Sequence, residues 1–295
     1  MKYILLDDNA IEIGGTNLTI LSMLEDRIED VVKLSTSSFT KLDIAQNLDK
    51  IWIIGNIMGL AQRQDESLIK DLFSFVKKFV KIEFDYNFCQ YRGEIPHQKL
   101  GNVRCSCPYG ITGVPILSDI YDFILDKSQH IFYMSERQRA VFANHMPDLD
   151  FSKTSILSSC FTKKDLTLFQ NLKDSSHKNN KYAILKGFGG WHSEAKGTDN
   201  AKNFCNINKL EYDILPIQKY EDHIKTLATY KGLVFLPTID DTCPRAIIEA
   251  RLLGLEVITN INCQHVTEWW WKDDTKTLEY IKSRQHFFWD KMDSL

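Results

Sequence analysis

The residues of this chain with the plainest chemical purpose lie between Leu236 and Asn260, in LPTIDDTCPRAIIEARLLGLEVITN. Asp240 and Asp241 follow an apolar stretch, a Cys243-Pro244-Arg245 triplet comes next, and Glu249 stands four residues beyond Arg245. Pro244 just inside the start and Gly254 just past the end mark a helix. Its nearly all-round apolar character predicts that it is well buried. Helix stability explains neither charge. Arg245 falls in the first turn, where the helix dipole already puts positive partial charge, and arginine before glutamate is the weaker orientation for such a pair. Two readings are open. An anionic ligand at the helix N-terminus would draw free N–H groups, dipole and guanidinium onto a phosphate, with Glu249 accepting hydrogen bonds from a ribose diol. Alternatively, Arg245 and Glu249 form a structural ion pair.

Such residues need strands and turns to position them. YILLDD, KIWIIGN, VKIEFD, HIFYMS and SKTSILSSC read as strands in the first part of the chain, and YAILKG, EYDILP, GLVFLP and EVITN in the second. Helical patterns alternate with them, which predicts mostly parallel sheets with helices on both faces. After the first strand, Gly14-Gly15 predicts a tight turn, with Thr16 or Asn17 as N-cap and Leu18, Leu21, Leu24 and Ile28 as the buried stripe of one helix. The polar stretch KDSSHKNNK, residues 173–181, reads as a linker. The expectation is an α/β chain of two Rossmann-like lobes facing across a cleft. Residues 1–172 are expected to form an N-terminal lobe, 181–275 a C-terminal lobe, and 276–295 a last helix whose expected resting place is the N-terminal lobe. Ligands of open parallel sheets bind beyond the carboxyl ends of the strands.

Composition narrows the field. The chain has 295 residues, a formal charge of -3, 43% apolar and 25% charged residues, the profile of a soluble globular protein. The balance gives no global attraction to nucleic acid or anionic membrane. The first apolar run is too short for a signal peptide, and no stretch approaches the roughly 20 apolar residues of a membrane helix. Seven irregularly spaced cysteines predict reduced thiols in a cytoplasmic protein.

In ordered sequence these segments resemble the GT-B glycosyltransferases of the family 4 kind (glycosyl transferases group 1). Asp241, seven residues, Glu249 and then ARLLGLEVIT resemble that family's Glu-x7-Glu signature. LKGFGGWHSEAKG is similar to its strand followed by Gly-Arg…Lys-Gly, EIGGTNLTI to its Gly-Gly turn, HIFYMSERQRAVF with SILSSCF to its last N-lobe strand, Ser-capped helix and strand, and FDYNFCQYR to its His-Asp-Tyr…Cys stretch. The resemblance implies a hexosyltransferase that moves a sugar from a UDP- or GDP-linked donor with retention, without a metal or other required cofactor. It implies that Glu249 holds the donor ribose, that Asp241 stands near the donor sugar and leaving group, and that Lys196 meets the diphosphate. Thr242, beside Asp241, joins the donor-binding set, and Gly14 and Gly15 let their loop approach the donor phosphate and the acceptor. Asp85 is a fallback base candidate, with turn capping as the alternative.

The chain also departs from that pattern. Trp191 occupies the position of the family arginine, and Arg245 is a candidate to supply the lost cation. Cys243-Pro244-Arg245 replaces Gly-Phe-Gly, Phe84 replaces the histidine before Asp85, and Asp241 is one carbon shorter than glutamate. These departures motivate an alternative, a catalytically silent GT-B-like binding or scaffold protein, and a third reading as an epimerase of the same fold. The acceptor is open among a glycan, a lipid-linked sugar, a protein and a modified nucleic-acid base, and so is the oligomeric state.

The remaining constellations carry weaker signals. Cys89, His97, Cys105 and Cys107 share one loop-rich stretch but lack a Cys-x2-Cys pair, so free thiols are expected ahead of a zinc site. Pro147–Asp150 reads as a loop. Asp7-Asp8 ends the first strand, with a turn role or the cleft both open. Trp269, Trp270 and Trp271 are expected to serve burial before stacking on a ligand.

Overall fold

The computed structural model describes residues 2–8, 14–57, 59–60, 66–89, 93, 96–98, 121, 123–175, 177–187 and 196–295. The chain divides into two compact units. The first comprises Met1–Ile11, Leu24–Ser158 and Phe287–Leu295, and the second Glu12–Met23 and Ser159–His286.

The first unit is a six-stranded parallel sheet in the order β2-β1-β3-β4-β5-β6. Its strands are β1 (Tyr3–Asp7), β2 (Val31–Ser35), β3 (Ile51–Ile54), β4 (Phe79–Glu83), β5 (His130–Tyr133) and β6 (Thr154–Ile156). The apolar runs YILL and IWII form central strands because both faces of a parallel sheet are covered. Alternate residues Ile4, Leu6, Trp52 and Ile54 pack in one cluster with Leu68, Ile69 and Leu72. On another part of the sheet the Tyr3 ring lies 5.1 Å from that of Trp289, and Phe132 lies 5.0 Å from Phe288. Each such fully buried side chain is worth about 1.5–3 kcal/mol. The Tyr3 hydroxyl donates to Asp293 at 2.8 Å, and Arg27 forks onto the same carboxylate at 3.1 and 2.6 Å.

β2 is absent from the strands expected of the sequence. The pattern of Leu18, Leu21, Leu24 and Ile28 had a single helix running up to it. Instead, α1 spans Gly15–Leu24 and a 3-10 segment follows over Glu25–Asp30. Leu21 and Ile28 are exposed, whereas Ile20 and Met23 are buried. The helix starts at Gly15, with Leu18 N–H donating to Gly14 O at 3.0 Å, so neither Thr16 nor Asn17 is its cap. All of α1 but Leu24 groups with the second unit, and the helices named in the first are α2 (Lys41–Gln46), α3 (Glu66–Phe75) and α4 (Glu136–His145). Ser135 caps α4 as its type and position predict, accepting from Gln138 N–H at 2.9 Å.

The second unit carries a four-stranded parallel sheet in the order β10-β9-β7-β8, built from β7 (Tyr182–Leu185), β8 (Tyr212–Leu215), β9 (Gly232–Phe235) and β10 (Glu256–Thr259). Its helices are α5 (Lys163–Ser175), α6 (Thr198–Ile207), α7 (Tyr220–Leu227), α8 (Arg245–Leu252) and α9 (Asp274–Asp293), whose last residues from Phe287 group with the first unit. The period of two sorts the strands cleanly. Ala183, Leu233 and Phe235 join Ile224, Leu227, Ile247 and Ile248 in one cluster, while Tyr182, Ile184 and Val234 join Ala201 and Cys205 in another. The polar stretch 173–181 lies inside this unit. Its first residues finish α5, Asn179 N–H donates to Thr229 O at 2.8 Å, and Lys178 Nζ donates to Leu253 O at 2.9 Å.

Candidate functional site

Most of the expected site residues belong to the second unit, in the segments beyond the ends of its strands. β7 ends at Leu185 and β9 at Phe235. Gly197 brings the segments beyond these two ends together. It caps α6 in the left-handed conformation, with φ at 69°, and a Cβ there would collide with Leu236 O. Only glycine permits both that angle and that approach. Thr198 Oγ1 also donates to Leu185 O at 3.0 Å. Lys196, the residue before this anchor, reaches Asp241 Oδ2 with Nζ at 2.6 Å.

Asp241 is held through its main chain. It forms a single parallel bridge with Cys263, its N–H donates to Asn262 O at 2.8 Å, and its carbonyl accepts from Gln264 N–H at 3.1 Å. Pro237 O accepts from the side-chain amides of both Asn260 and Asn262, at 3.0 and 2.8 Å. The segments after β9 and β10 are thereby tied together. Thr242 is buried, and Cys243 is half-buried with its Sγ 2.8 Å from Ser159 Oγ. Burial pushes the Cys243 thiol up to about 12, opposed by its hydrogen bond with Ser159.

α8 opens with Arg245. Pro244 precedes it without a side-chain cap, and Gly254 ends the helix region with φ at 70°. Arg245 and Glu249 are both buried, and each of the three arginine nitrogens has a protein partner. Nε donates to Glu249 Oε1 at 3.1 Å, one terminal nitrogen to Cys160 O, and the other to the Tyr220 hydroxyl at 3.1 Å. The guanidinium carbon lies 3.8 Å from the centre of the Phe161 ring, a close cation–π contact. Asp165 stands 3.8 Å away. The Tyr220 hydroxyl donates to Glu249 Oε1 at 2.9 Å. Burial, and then the Glu249 charge, hold the tyrosine far above its ordinary value, so it keeps the proton it donates. Glu249 Oε1 thus has two hydrogen bonds, whereas Oε2 has none among the described residues.

Two of the expected groups come together in this way: Lys196 with Asp241, and Arg245 with Glu249. Gly15 lies beside the second pair, since a Cβ on it would sit 3.9 Å from Arg245 Cδ, and Gly14 precedes it at the start of α1. Asp85 belongs to the first unit. There it caps the turn after β4, accepting from Tyr86 N–H at 2.9 Å while its carbonyl accepts from Gln138 Nε2 at 3.1 Å. Trp191, Cys105 and Cys107 lie outside the described residues. Cys89 Sγ is 3.4 Å from His97 Nδ1, and no group of three or more metal-ligating side chains occurs among the described residues. Asp150 caps a short 3-10 turn by accepting from Ser152 N–H at 3.0 Å. Trp270 and Trp271 are buried and Trp269 is exposed.

Sequence reasoning missed Tyr220, Cys160 and Phe161. Tyr220 is 29 residues from Glu249, and no spacing rule links the first residue of one helix to the fifth of another. Its hydroxyl was the available signal, because a tyrosine at the edge of a core needs a polar partner.

No protein-family model matches this chain, and no curated protein matches it. Solved structures do resemble it. Anabaena Alr3699/HepE in complex with UDP and glucose aligns over 100% of both chains, with a TM-score of 0.54 and 12% identity. WaaG, a glycosyltransferase involved in lipopolysaccharide biosynthesis, aligns over 96% of this chain and 90% of its own, with a TM-score of 0.56 and 9% identity. At such identities the likeness establishes the fold: two mostly parallel α/β units of the GT-B-like kind. No helix among the described residues is long and apolar enough to cross a membrane.

Proposed function

We propose that the chain is a glycosyltransferase of the family 4 kind that takes its sugar from a UDP- or GDP-linked donor. The observation that carries this reading is Glu249, a buried carboxylate with one oxygen engaged twice and the other without a partner among the described residues. A ribose diol is a fitting partner for such an acceptor. The likeness in fold to a protein crystallised with UDP and glucose supports the same reading.

In this reading Lys196 exchanges Asp241 for the donor diphosphate, assisted by the first-turn N–H groups of α6, whose N-cap Gly197 offers no side-chain acceptor. Breaking the bond from the anomeric carbon to the diphosphate builds charge on the leaving oxygens, which fixed donors stabilise most effectively. The leaving phosphate takes the acceptor proton as the new bond forms on the same face, so the transfer is retaining and needs no metal. Asp241 and Thr242 lie toward the donor sugar, and the Gly14-Gly15 backbone approaches the donor phosphate and acceptor. Asp85 is the reserve base. Arg245 serves through Glu249. The acceptor is a glycan, a lipid-linked sugar, a protein or a modified nucleic-acid base.

The complete engagement of Arg245 by protein groups favours a second reading, a silent GT-B-like binding or scaffold protein. Purified protein incubated with mixed nucleotide sugars and candidate acceptors, followed by mass spectrometry, separates the two. Loss of one donor with release of its nucleoside diphosphate is the expected result. Binding of a nucleoside diphosphate with no turnover of any donor would leave the silent reading in its place.

A further inference from the structure

We infer that Tyr220 and Arg245 are positioning residues that lock one oxygen of Glu249, so that ribose recognition falls to the other oxygen alone. The inference rests on the nucleotide-sugar reading above and deepens it. It starts from the acceptor capacity of a carboxylate, about two hydrogen bonds per oxygen. Oε1 is filled by Tyr220 at 2.9 Å and Arg245 at 3.1 Å. Among the described residues nothing draws on Oε2, whose capacity is enough for both hydroxyls of a vicinal diol.

The lock is itself anchored at a distance from Glu249. Arg245 is tied to Cys160 O and stacked on Phe161, with Asp165 on α5 alongside. Tyr220 is the first residue of α7 and bridges the arginine and the glutamate with a single hydroxyl. A free glutamate side chain rotates about three bonds, and holding it in one rotamer removes an entropy cost from binding. The predicted consequence is discrimination: the site distinguishes a ribonucleotide from its dideoxy analogue because the acceptor is already aimed.

Tyr220→Phe is the cleanest variant, since it deletes one oxygen and retains the ring. Affinities for UDP and GDP and for their 2′,3′-dideoxy forms are measured by titration calorimetry in the unaltered chain, in Tyr220→Phe, in Glu249→Gln and in the double variant. The unaltered chain is expected to prefer the ribonucleotide about tenfold or more. Glu249→Gln abolishes the preference. Tyr220→Phe reduces it by about threefold or more while leaving the dideoxy affinity in place, and the double variant is no worse than Glu249→Gln alone. A Tyr220→Phe protein that keeps the full preference overturns the inference. So does one that loses affinity equally for both forms, which would mark the hydroxyl as merely structural. If the unaltered chain binds neither nucleotide in either form, the underlying reading fails and takes this one with it, an outcome distinct from binding without discrimination.

Discussion

In the first unit Lys81 and Glu83 lie two residues apart on β4, wholly buried, with Nζ 2.8 Å from Oε1. In the second unit Arg245 and Glu249 lie one turn apart on α8, almost as buried, at 3.1 Å. The difference is in what is left over. Lys81 spends its other donors on Gly55 O and Ile82 O, both at 2.8 Å. Glu83 fills Oε1 with Lys81 and the Tyr121 hydroxyl and Oε2 with Asn87 at 3.1 Å. Every polar group of that pair is satisfied by protein, as a buried pair requires if it is not to cost stability. Arg245 is equally satisfied, but among the described residues Glu249 is not. A closed network serves the architecture, whereas an acceptor with spare capacity at the end of a buried network is available to a ligand.

The largest effect is expected of Lys81→Met, which strands the Glu83 carboxylate inside the first unit. The expected loss is about 3–5 kcal/mol, read as a fall in melting temperature, with nucleotide affinity unchanged in the protein that remains folded. A melting temperature close to that of the unaltered chain would mean that Glu83 is reached by water and that the pair is not closed. Gly197→Ala comes next. Its Cβ would meet the Leu236 carbonyl, and its φ of 69° disfavours any side chain. The expected cost is about 2 kcal/mol or more, together with weaker nucleotide binding because Lys196 moves with its neighbour.

A smaller effect, dependent on pH, is expected in the first unit. Asp7 accepts from Asn56 N–H at 2.5 Å. Burial is the main cause that raises its carboxyl to about 7 from an unfolded value of 3.8. The unfolded chain therefore releases this proton first, and stability falls as pH rises from about 4 to about 7. Asp7→Asn keeps an acceptor for Asn56 and removes the titration. It is expected to stabilise the protein by about 1–3 kcal/mol at pH 8 and by almost nothing at pH 4. Equal melting shifts at the two pH values would show that Asp7 is ionised throughout.

These contrasts also explain how far the sequence could be read. The strands that show as uninterrupted apolar runs, such as YILL and IWII, were legible because burial on both faces leaves a local mark. Val31–Ser35 was not, since a helical-looking stripe through Ile28 ran into it and only pairing with β1 makes it a strand. Glu249 stood out by its place one turn after Arg245, and Asp241 and Lys196 by the family pattern that their segments resemble. Which charges meet was a matter of tertiary structure. Lys196 and Asp241 are 45 residues apart, and Arg245 faces Cys160, 85 residues earlier. The orientation of Arg245 toward protein groups could be settled only by what surrounds it.

Titration of UDP and GDP into the chain and into Glu249→Gln tests most directly the proposal that Glu249 is the nucleotide-binding end of the second unit. The unaltered chain is expected to bind at least one of them with a Kd below roughly 1 mM, and a cooperatively melting Glu249→Gln protein to bind it at least about tenfold more weakly. Undiminished affinity in that variant, or no binding of either nucleotide by the unaltered chain, would contradict it.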